Sequence, residues 1–220
     1  MASITLYIDC VSNYGYMALH LVKTHFSGVP LKLVPVFLGG IMQATGNRPP
    51  FAVPLKGNYM KLDAERTCRR YNIPIRKGFP EKFPMPTLLA QRVQVAAGIA
   101  LGQEKGNTVV EAFEKALWLE EVDIESQENC GAVLVKAVGK EDAGKVLKTL
   151  TENTDAVKEQ LKKNTEAAIK SGSFGVPWFV VKDKDGKEDV IWGVDHIDLV
   201  AEMVGVQWPP AGLKKETAQL

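Results

Sequence analysis

The sequence has few cysteines and no paired cysteine motif, and this argues against several classes of protein. Its 220 residues include only Cys10, Cys68 and Cys130, which are widely spaced and form neither a Cys-x-x-Cys pair nor a zinc-ligand pattern. A thiol–disulfide catalyst or a zinc-stabilised fold would need one of those patterns. We therefore expect no bound metal, no structural disulfide and a reduced, intracellular setting.

Long apolar runs are also missing from the sequence. No run approaches the roughly 18 residues that a membrane-spanning helix needs. The N-terminal stretch "MASITLYID" enters a strand pattern directly, without the basic and apolar regions of a signal peptide or the Arg-rich start of a transit peptide. We expect an intracellular protein without a membrane span. Cytoplasm, mitochondrion and peroxisome stay open.

An excess of charge of either sign is absent as well. Lys and Arg number 27 and Asp and Glu 26, which gives a formal net charge of +1. An extended surface for nucleic acid or for an anionic membrane is therefore not expected. The hydrophobic share of 45% is that of an ordinary globular chain, and the length suits one large domain or one domain with an insertion.

Strand patterns occupy the two ends of the chain. Residues 3–9 and 30–38 have strand patterns on either side of a helical pattern at 15–26, which predicts a parallel β-α-β unit with Pro35 at an edge or a bulge. A β-hairpin is predicted from the strand patterns at 176–183 and 188–193, and the last predicted helix of the chain follows it. A Gly- and Pro-rich segment at 39–57 has the composition of a long functional loop.

The middle of the chain has helical periodicity almost throughout, with Asn107 or Thr108 as a candidate N-cap of one helix. The simplest assembly is an α/β fold in which the two ends form one four-stranded sheet around an inserted helical domain. The predicted sheet domain comprises 1–57 and 171–208, the helical domain 58–170 and a C-terminal tail 209–220.

The stretch "DCVSNYGYMAL" (9–19) has the layout of a thioredoxin-type site: a strand, a tight turn and the start of a helix. The turn holds Ser12 where a redox protein has its first cysteine. "FGVPWFVV" (174–181) adds a Val-Pro pair at a strand start, where thioredoxin-like folds place a cis-proline, here Pro177. The preceding Val176 then offers its backbone N–H and C=O to an extended peptide. The alternatives are a trans proline, and a Ser12 that only caps the helix.

The chain resembles the kappa-class glutathione transferases from residue 4 to about residue 208, and more distantly the 2-hydroxychromene-2-carboxylate isomerases. The resemblance rests on "YIDCVSNYGY", "GGIMQATGNRPP", "VPLKGNYM", "FGVPWFVV" and "WGVDHIDL" in this order. It implies a DsbA-like fold, meaning a thioredoxin-like domain with an inserted all-helical domain, and a homodimer. It also implies glutathione as cosubstrate.

The resemblance gives Ser12 the catalytic role. Its hydroxyl would donate a hydrogen bond to the glutathione sulfur at a helix N-terminus, where the helix dipole favours a thiolate. The site would thus activate an imported thiol instead of one of its own. The residues that the resemblance implies for glutathione binding are Asn47, Lys56, Val176, Val194 through its backbone, and Asp195. By themselves, Asn47 would more often be a turn residue, Lys56 a solvated lysine and Asp195 a helix N-cap.

The implied activity is addition of the glutathione thiolate to small electrophiles, with reduction of organic hydroperoxides as a further expectation. Two alternatives stay open: a glutathione-dependent cis/trans isomerase, and a catalytically silent thioredoxin-like module that binds peptides. The turn departs from the family's usual Ser-Pro-Tyr-Ser, Val194 replaces a small polar residue, and His196 stands where a basic residue is common. Cys10 is expected to be a buried small hydrophobe. His20 and His25 are expected to be structural or solvent-facing.

Overall fold

The computed structural model describes residues 1–210, so the predicted tail lies outside the described residues beyond position 210. Four strands form one mixed sheet in the order β2-β1-β3-β4. β1 pairs in parallel with β2 and antiparallel with β3, which in turn pairs antiparallel with β4. The strands are β1 (Ser3–Ile8), β2 (Leu31–Pro35), β3 (Trp178–Lys182) and β4 (Glu188–Trp192). The predicted four-stranded α/β sheet, with Pro35 on an edge strand, is confirmed.

Eight α-helices surround this sheet in the described residues, and most of them lie in the long insertion between β2 and β3. They are α1 (Asn13–His25), α2 (Leu38–Thr45), α3 (Pro54–Tyr71), α4 (Leu88–Leu101), α5 (Gln103–Trp118), α6 (Gln127–Glu152), α7 (Thr154–Lys170) and α8 (Ile197–Val204). Short 3-10 helices occur at Pro50–Ala52 and Val194–His196. None of the helices in this part of the chain is long and apolar enough to cross a membrane.

The segment 39–57 is not the continuous loop that its composition predicts. It contains most of α2 and the first turn of α3, so the predicted domain boundary at residue 57 falls inside a helix. The reason lies in Gly39 and Gly40, which pass close to the Phe37 ring: a Cβ atom on Gly39 would lie 2.9 Å from it. These glycines serve a close approach within a helix, and Ile41 between them and the helix end is fully buried.

The predicted N-cap at Asn107 or Thr108 is wrong, because α5 begins four residues earlier, after Gly102. Asn107 instead pairs with the edge strand β2. Its Oδ1 accepts a hydrogen bond from Leu33 N at 3.0 Å, and its Nδ2 donates to Leu31 O at 2.8 Å. A helix side chain thus satisfies backbone groups that an edge strand leaves unpaired.

The core lies mainly on one face of the sheet. Burial alternates along β1, so that Ile4, Leu6 and Ile8 are buried and pack in the same cluster as Met17 of α1 and Phe179 of β3. A smaller cluster forms near α2 and α7 and includes Val34, Val36, Ile41, Ala168 and Val176. The turn between β1 and α1 and the start of β3 therefore lie on rigid, packed elements.

Candidate active site

Ser12 lies at the junction of β1 and α1 and is the N-cap residue of α1. Its Oγ accepts a hydrogen bond from Gly15 N at 3.2 Å and donates one to the carbonyl oxygen of Val176 at 3.3 Å. The first turn of α1 carries no acidic residue, and the helix end has a partial positive charge. The nearest carboxylate in the chain is that of Asp9, which accepts a hydrogen bond from Val11 N. Ser12 is therefore a helix cap, and it also has a hydroxyl proton that it donates away from the helix.

Val176 lies two residues before the start of β3, and its peptide bond to Pro177 is cis. The Pro177 carbonyl accepts a hydrogen bond from Gly193 N at 3.1 Å, which ties the start of β3 to the turn after β4. The carbonyl group of Val176 points at the Ser12 hydroxyl, which donates a hydrogen bond to it. The two ends of the chain meet at this point.

A cavity of about 730 Å³ opens beside Ser12 and Val176. Four of the residues predicted for glutathione line it together: Ser12, Asn47, Lys56 and Val176. Arg48 and Trp192 also line it. Much of the remaining wall is apolar and includes Phe37, Met42, Phe51, Met60, Phe83 and Met85. The cavity therefore has both polar groups, among them the predicted glutathione residues, and apolar side chains in its wall.

Asn47 already has partners in this cavity. Its Nδ2 donates to the Phe174 carbonyl oxygen at 2.7 Å, and its Oδ1 accepts from Arg48 N at 2.8 Å. It thus fixes the loop before Val176 and keeps one further N–H for a ligand. Lys56 lies in the first turn of α3 and is exposed at the cavity.

The other two predicted residues lie outside the lining of the cavity as far as the structure describes it. Val194 is buried in the core, so only its backbone is available. The Asp195 side chain is 73% exposed and lies 3.4 Å from His196 Nδ1. Asp195 belongs to the 3-10 turn Val194–His196, and α8 is capped by His196, so the alternative of a helix N-cap at Asp195 is wrong.

Tyr14 lies in the first turn of α1, and its hydroxyl is held by a carboxylate. It lines the cavity, and its hydroxyl donates to Asp63 Oδ2 at 2.7 Å. Burial raises the pKa of Tyr14, and the Asp63 carboxylate and the charge of Asp195 raise it further. One carboxylate, that of Asp63, therefore holds the hydroxyl of a tyrosine that lines the cavity. Sequence reasoning missed this arrangement, because 49 positions separate Tyr14 from Asp63.

Asp9 is a second residue that sequence reasoning missed. It follows β1, is 1% exposed and forms part of the cavity wall. Its carboxylate accepts hydrogen bonds from Val11 N, Leu38 N and Thr87 Oγ1 at 3.2, 2.9 and 2.7 Å. Burial raises the pKa of Asp9, while the three donors lower it. An aspartate just before the Ser12 turn was the only sequence signal.

The cysteines give the site no redox chemistry. All three are free and buried. Cys10 is fully buried, its Sγ lies 3.4 Å from Gln91 Oε1, and its pKa is raised well above the ordinary value, first by burial and then by Asp9 and Glu114. The expectation of a buried small hydrophobe is confirmed. Within residues 1–210 no cluster of three or more His, Cys, Asp or Glu residues is arranged to hold a metal ion.

A family model for the DSBA-like thioredoxin domain matches residues 3–205. The chain belongs to this family. It is 29% identical over 220 residues to glutathione S-transferase kappa 1 of Homo sapiens, with 95% of each chain covered. It is 24% identical over 210 residues to 2-hydroxychromene-2-carboxylate isomerase of Pseudomonas sp. (strain C18), covering 92% of this chain and 90% of the relative.

A solved structure has the same fold as this DSBA-like chain. The structure of SeMet 2-hydroxychromene-2-carboxylate isomerase superimposes with a TM-score of 0.72 at 20% sequence identity, covering 90% of this chain and 92% of the other. The thioredoxin-like sheet with inserted helices is thereby confirmed. The resemblance to kappa-class glutathione transferases and to the isomerases, inferred above from five motifs, extends over nearly the whole chain.

Proposed function

We propose that the protein is a glutathione transferase in which Ser12 stabilises the thiolate of bound glutathione. The observation that carries this proposal is that the Ser12 hydroxyl, at the N-terminus of α1, donates to the backbone of Val176 at the wall of one cavity. The similarity to glutathione S-transferase kappa 1 over 95% of both chains supports glutathione as the thiol.

Glutathione binding would exchange the partners of Ser12 and Val176. The Ser12 hydroxyl has a single proton, which it now donates to the Val176 carbonyl oxygen. The cysteinyl amide N–H of glutathione takes over that carbonyl, as an added strand does, and the hydroxyl rotates to the sulfur. Oγ keeps its bond from Gly15 N throughout. The sulfur then lies at the positive end of α1, where a thiolate is favoured over a thiol.

The ends of the tripeptide have charged groups within reach. Lys56 and Arg48 line the cavity and suit the glycyl carboxylate, and Asn47 has one N–H left to donate. The exposed carboxylate of Asp195 suits the γ-glutamyl ammonium, and the Val194 backbone precedes it in the chain. Apart from that of Arg48, these roles are the ones that the resemblance to the kappa-class transferases implies, and the charges of the side chains suit them.

The second substrate would bind against the apolar side chains that line the cavity. The thiolate attacks an electrophilic carbon there, a carbon–sulfur bond forms, and the electron pair leaves with the displaced group or moves into a conjugated acceptor. With an organic hydroperoxide, the thiolate attacks the terminal oxygen. The alcohol departs, and a second glutathione converts the resulting sulfenic acid to glutathione disulfide and water. Small apolar electrophiles fit this wall of phenylalanine and methionine side chains.

A glutathione-dependent isomerase is the second candidate. The similarity to 2-hydroxychromene-2-carboxylate isomerase over 92% of the chain favours it. In that reaction the thiolate adds to a conjugated bond, the weakened bond rotates, and elimination restores the thiolate. Glutathione would then be required without being consumed, which distinguishes the isomerase from the transferase.

We also propose that the protein is a homodimer. Leu55, Tyr59 and Leu62 are exposed at helical spacing along α3, and Leu55 is 81% exposed. Val53 extends the same apolar surface. A second copy covering this surface would remove it from water, and sedimentation equilibrium of the wild type beside a Leu55→Asp variant tests this assignment. The variant is expected to be a monomer. A monomeric wild type would contradict it.

The function is tested by calorimetric titration with glutathione, S-methylglutathione and an unrelated tripeptide such as Gly-Ser-Ala. We expect glutathione to bind, S-methylglutathione to bind more weakly because it cannot form a thiolate, and the unrelated peptide not to bind. Mass spectrometry with 1-chloro-2,4-dinitrobenzene then shows whether a conjugate forms. Equal binding of all three peptides without a conjugate would support the silent peptide-binding module instead.

A further inference from the structure

The Asp9 carboxylate joins three separate walls of the cavity. Oδ1 accepts hydrogen bonds from Thr87 Oγ1 at 2.7 Å and from Val11 N at 3.2 Å, and Oδ2 accepts one from Leu38 N at 2.9 Å. All three donors are uncharged groups. Both oxygens accept, as those of an ionised carboxylate do.

Each donor belongs to a different element. Val11 immediately precedes Ser12 in the turn before α1. Leu38 is the first residue of α2, the helix that ends next to Gly46 and Asn47. Thr87 is the N-cap of α4 and follows the segment 83–86, which lines the same cavity as α2. The positions of the Ser12 turn, the Asn47 loop and the Phe83 wall therefore depend on one side chain.

The chemistry of α2 explains why a carboxylate serves here. The N-cap of α2, Phe37, has no side chain that can accept a hydrogen bond from the helix end. Asp9 supplies that acceptor from another element, and an anion at a helix N-terminus is favourable. Asparagine would offer one acceptor oxygen, and its NH₂ group would face one of the donors.

We propose that Asp9 is a positioning residue of this site, holding the Ser12 turn in register with the other two walls. The identification of the ligand as glutathione rests on the proposed function above. The charge of Asp9 by itself works against the proposed mechanism, because a carboxylate on the same cavity disfavours a second anion. Asp9 therefore contributes through geometry.

The titratable neighbours of Asp9 supply a matched control. Cys10 and Glu114 lie close enough for their charges to interact with that of Asp9, and burial raises the pKa of both well above the ordinary value. Glu114 is fully buried in α5 and does not line this cavity. Glu114→Gln thus changes a buried acid near Asp9 without touching the three walls.

Hydrogen exchange of the protein without ligand tests the positioning role directly. In Asp9→Asn we expect faster amide exchange at 11–15, 38–45 and 84–90 together, with no change in α6 and α7. Thr87→Val removes one donor and keeps the side-chain shape, so it should loosen 84–90 most, and this variant decides the question if Asp9→Asn does not fold. Unchanged exchange in the three segments, or a uniform rise over the whole chain, would overturn the proposal.

The pKa of bound glutathione separates positioning from a general structural effect. Loss of the Asp9 charge alone would lower this pKa. Displacement of Ser12 would raise it. We expect Asp9→Asn to raise it by about one unit, a tenfold shift of the thiol–thiolate equilibrium, and Glu114→Gln to leave it unchanged. A lower pKa in Asp9→Asn would mean that Asp9 acts through its charge and would overturn the proposal. If the wild type bound no glutathione, the proposed function would fail and the exchange data alone would decide the role of Asp9.

Discussion

The Ser12 hydroxyl lies 3.3 Å from the carbonyl oxygen of Val176, although 164 positions separate the two residues. Ser12 follows β1 and Val176 precedes β3, and these two strands pair antiparallel in the sheet. The contact therefore forms only when the two ends of the chain have joined. The inserted helix α3 then supplies part of the cavity wall, through Lys56 and Met60.

Ser12→Cys should form a mixed disulfide with glutathione. A cysteine at this helix N-terminus has a pKa below its free value of about 8.5, so it is nucleophilic at neutral pH. Gly15 offers no second thiol, and Cys10 is fully buried against Gln91. Intact mass after incubation with glutathione disulfide should show one glutathione adduct. An internal bridge between Cys10 and the introduced thiol, or catalysed insulin reduction, would contradict the buried position of Cys10 and favour a redox function.

Gly193→Ala should lower both stability and glutathione affinity. Gly193 has a φ of 90°, and an added Cβ would collide with Asp195 Oδ1, so Asp195 must move. Gly186 in the β3–β4 turn has a similar φ of 88° and lies away from the cavity, so Gly186→Ala is the matched control. Each change should cost about 1–3 kcal/mol of unfolding free energy. Only Gly193→Ala should weaken glutathione binding in calorimetry; equal affinities would remove Asp195 from the site.

Lys56→Ala should weaken glutathione binding by at most about fivefold, as expected for an exposed charge pair of roughly 0.2–1 kcal/mol. The loss should shrink at high salt, because salt screens exposed charges. Lys61→Ala is the control, since Lys61 is exposed on the same helix and does not line this cavity. Calorimetry at low and high salt compares the two variants. An equal loss in both would indicate a general charge effect and no contact with Lys56.

Glu114→Gln should stabilise the protein increasingly as the pH rises. Neither carboxyl oxygen of Glu114 has a hydrogen-bond partner in the described structure, and burial raises its pKa well above 4.5. Above pH 4.5 the unfolded chain releases this proton while the folded chain keeps it, so the free energy of unfolding falls as pH rises. The variant avoids this loss of about 1.4 kcal/mol per pH unit. Denaturant unfolding at about pH 5 and pH 7 measures the difference; an equal difference at both would mean that Glu114 is ionised when folded.

The sheet and the centre of the site could be predicted from the sequence because their signals are local. The alternation of apolar and polar residues along β1 and the Val-Pro pair are each visible within a few residues. The βαβ order is visible in consecutive segments of the first 38 residues. The resemblance then indicated Ser12, Asn47 and Lys56, which the structure brings to one cavity with Val176. Their binding roles stay predictions.

The remaining features depend on contacts between distant elements. Gly39 and Gly40 look like loop residues until the Phe37 ring is placed beside them. Asn107 looks like an N-cap, but its partners are backbone groups of β2, 74 and 76 positions away. Asp9 looks like an ordinary turn residue, and its function as a common acceptor appears only when α2 and α4 are in place. No periodicity or spacing records such contacts.

The most direct test of the proposed role of Ser12 is the ultraviolet absorbance of the glutathione thiolate, measured against pH in complexes of the wild type and of Ser12→Ala. A hydrogen bond to a charged group is worth about 1.5–3 kcal/mol, so its loss should raise the pKa of the bound thiol by about one to two units. Thermal unfolding monitored in parallel corrects for the lost helix cap. A higher pKa with glutathione still bound is the predicted result, whereas identical titration curves would mean that Ser12 is only a cap and does not activate the thiol.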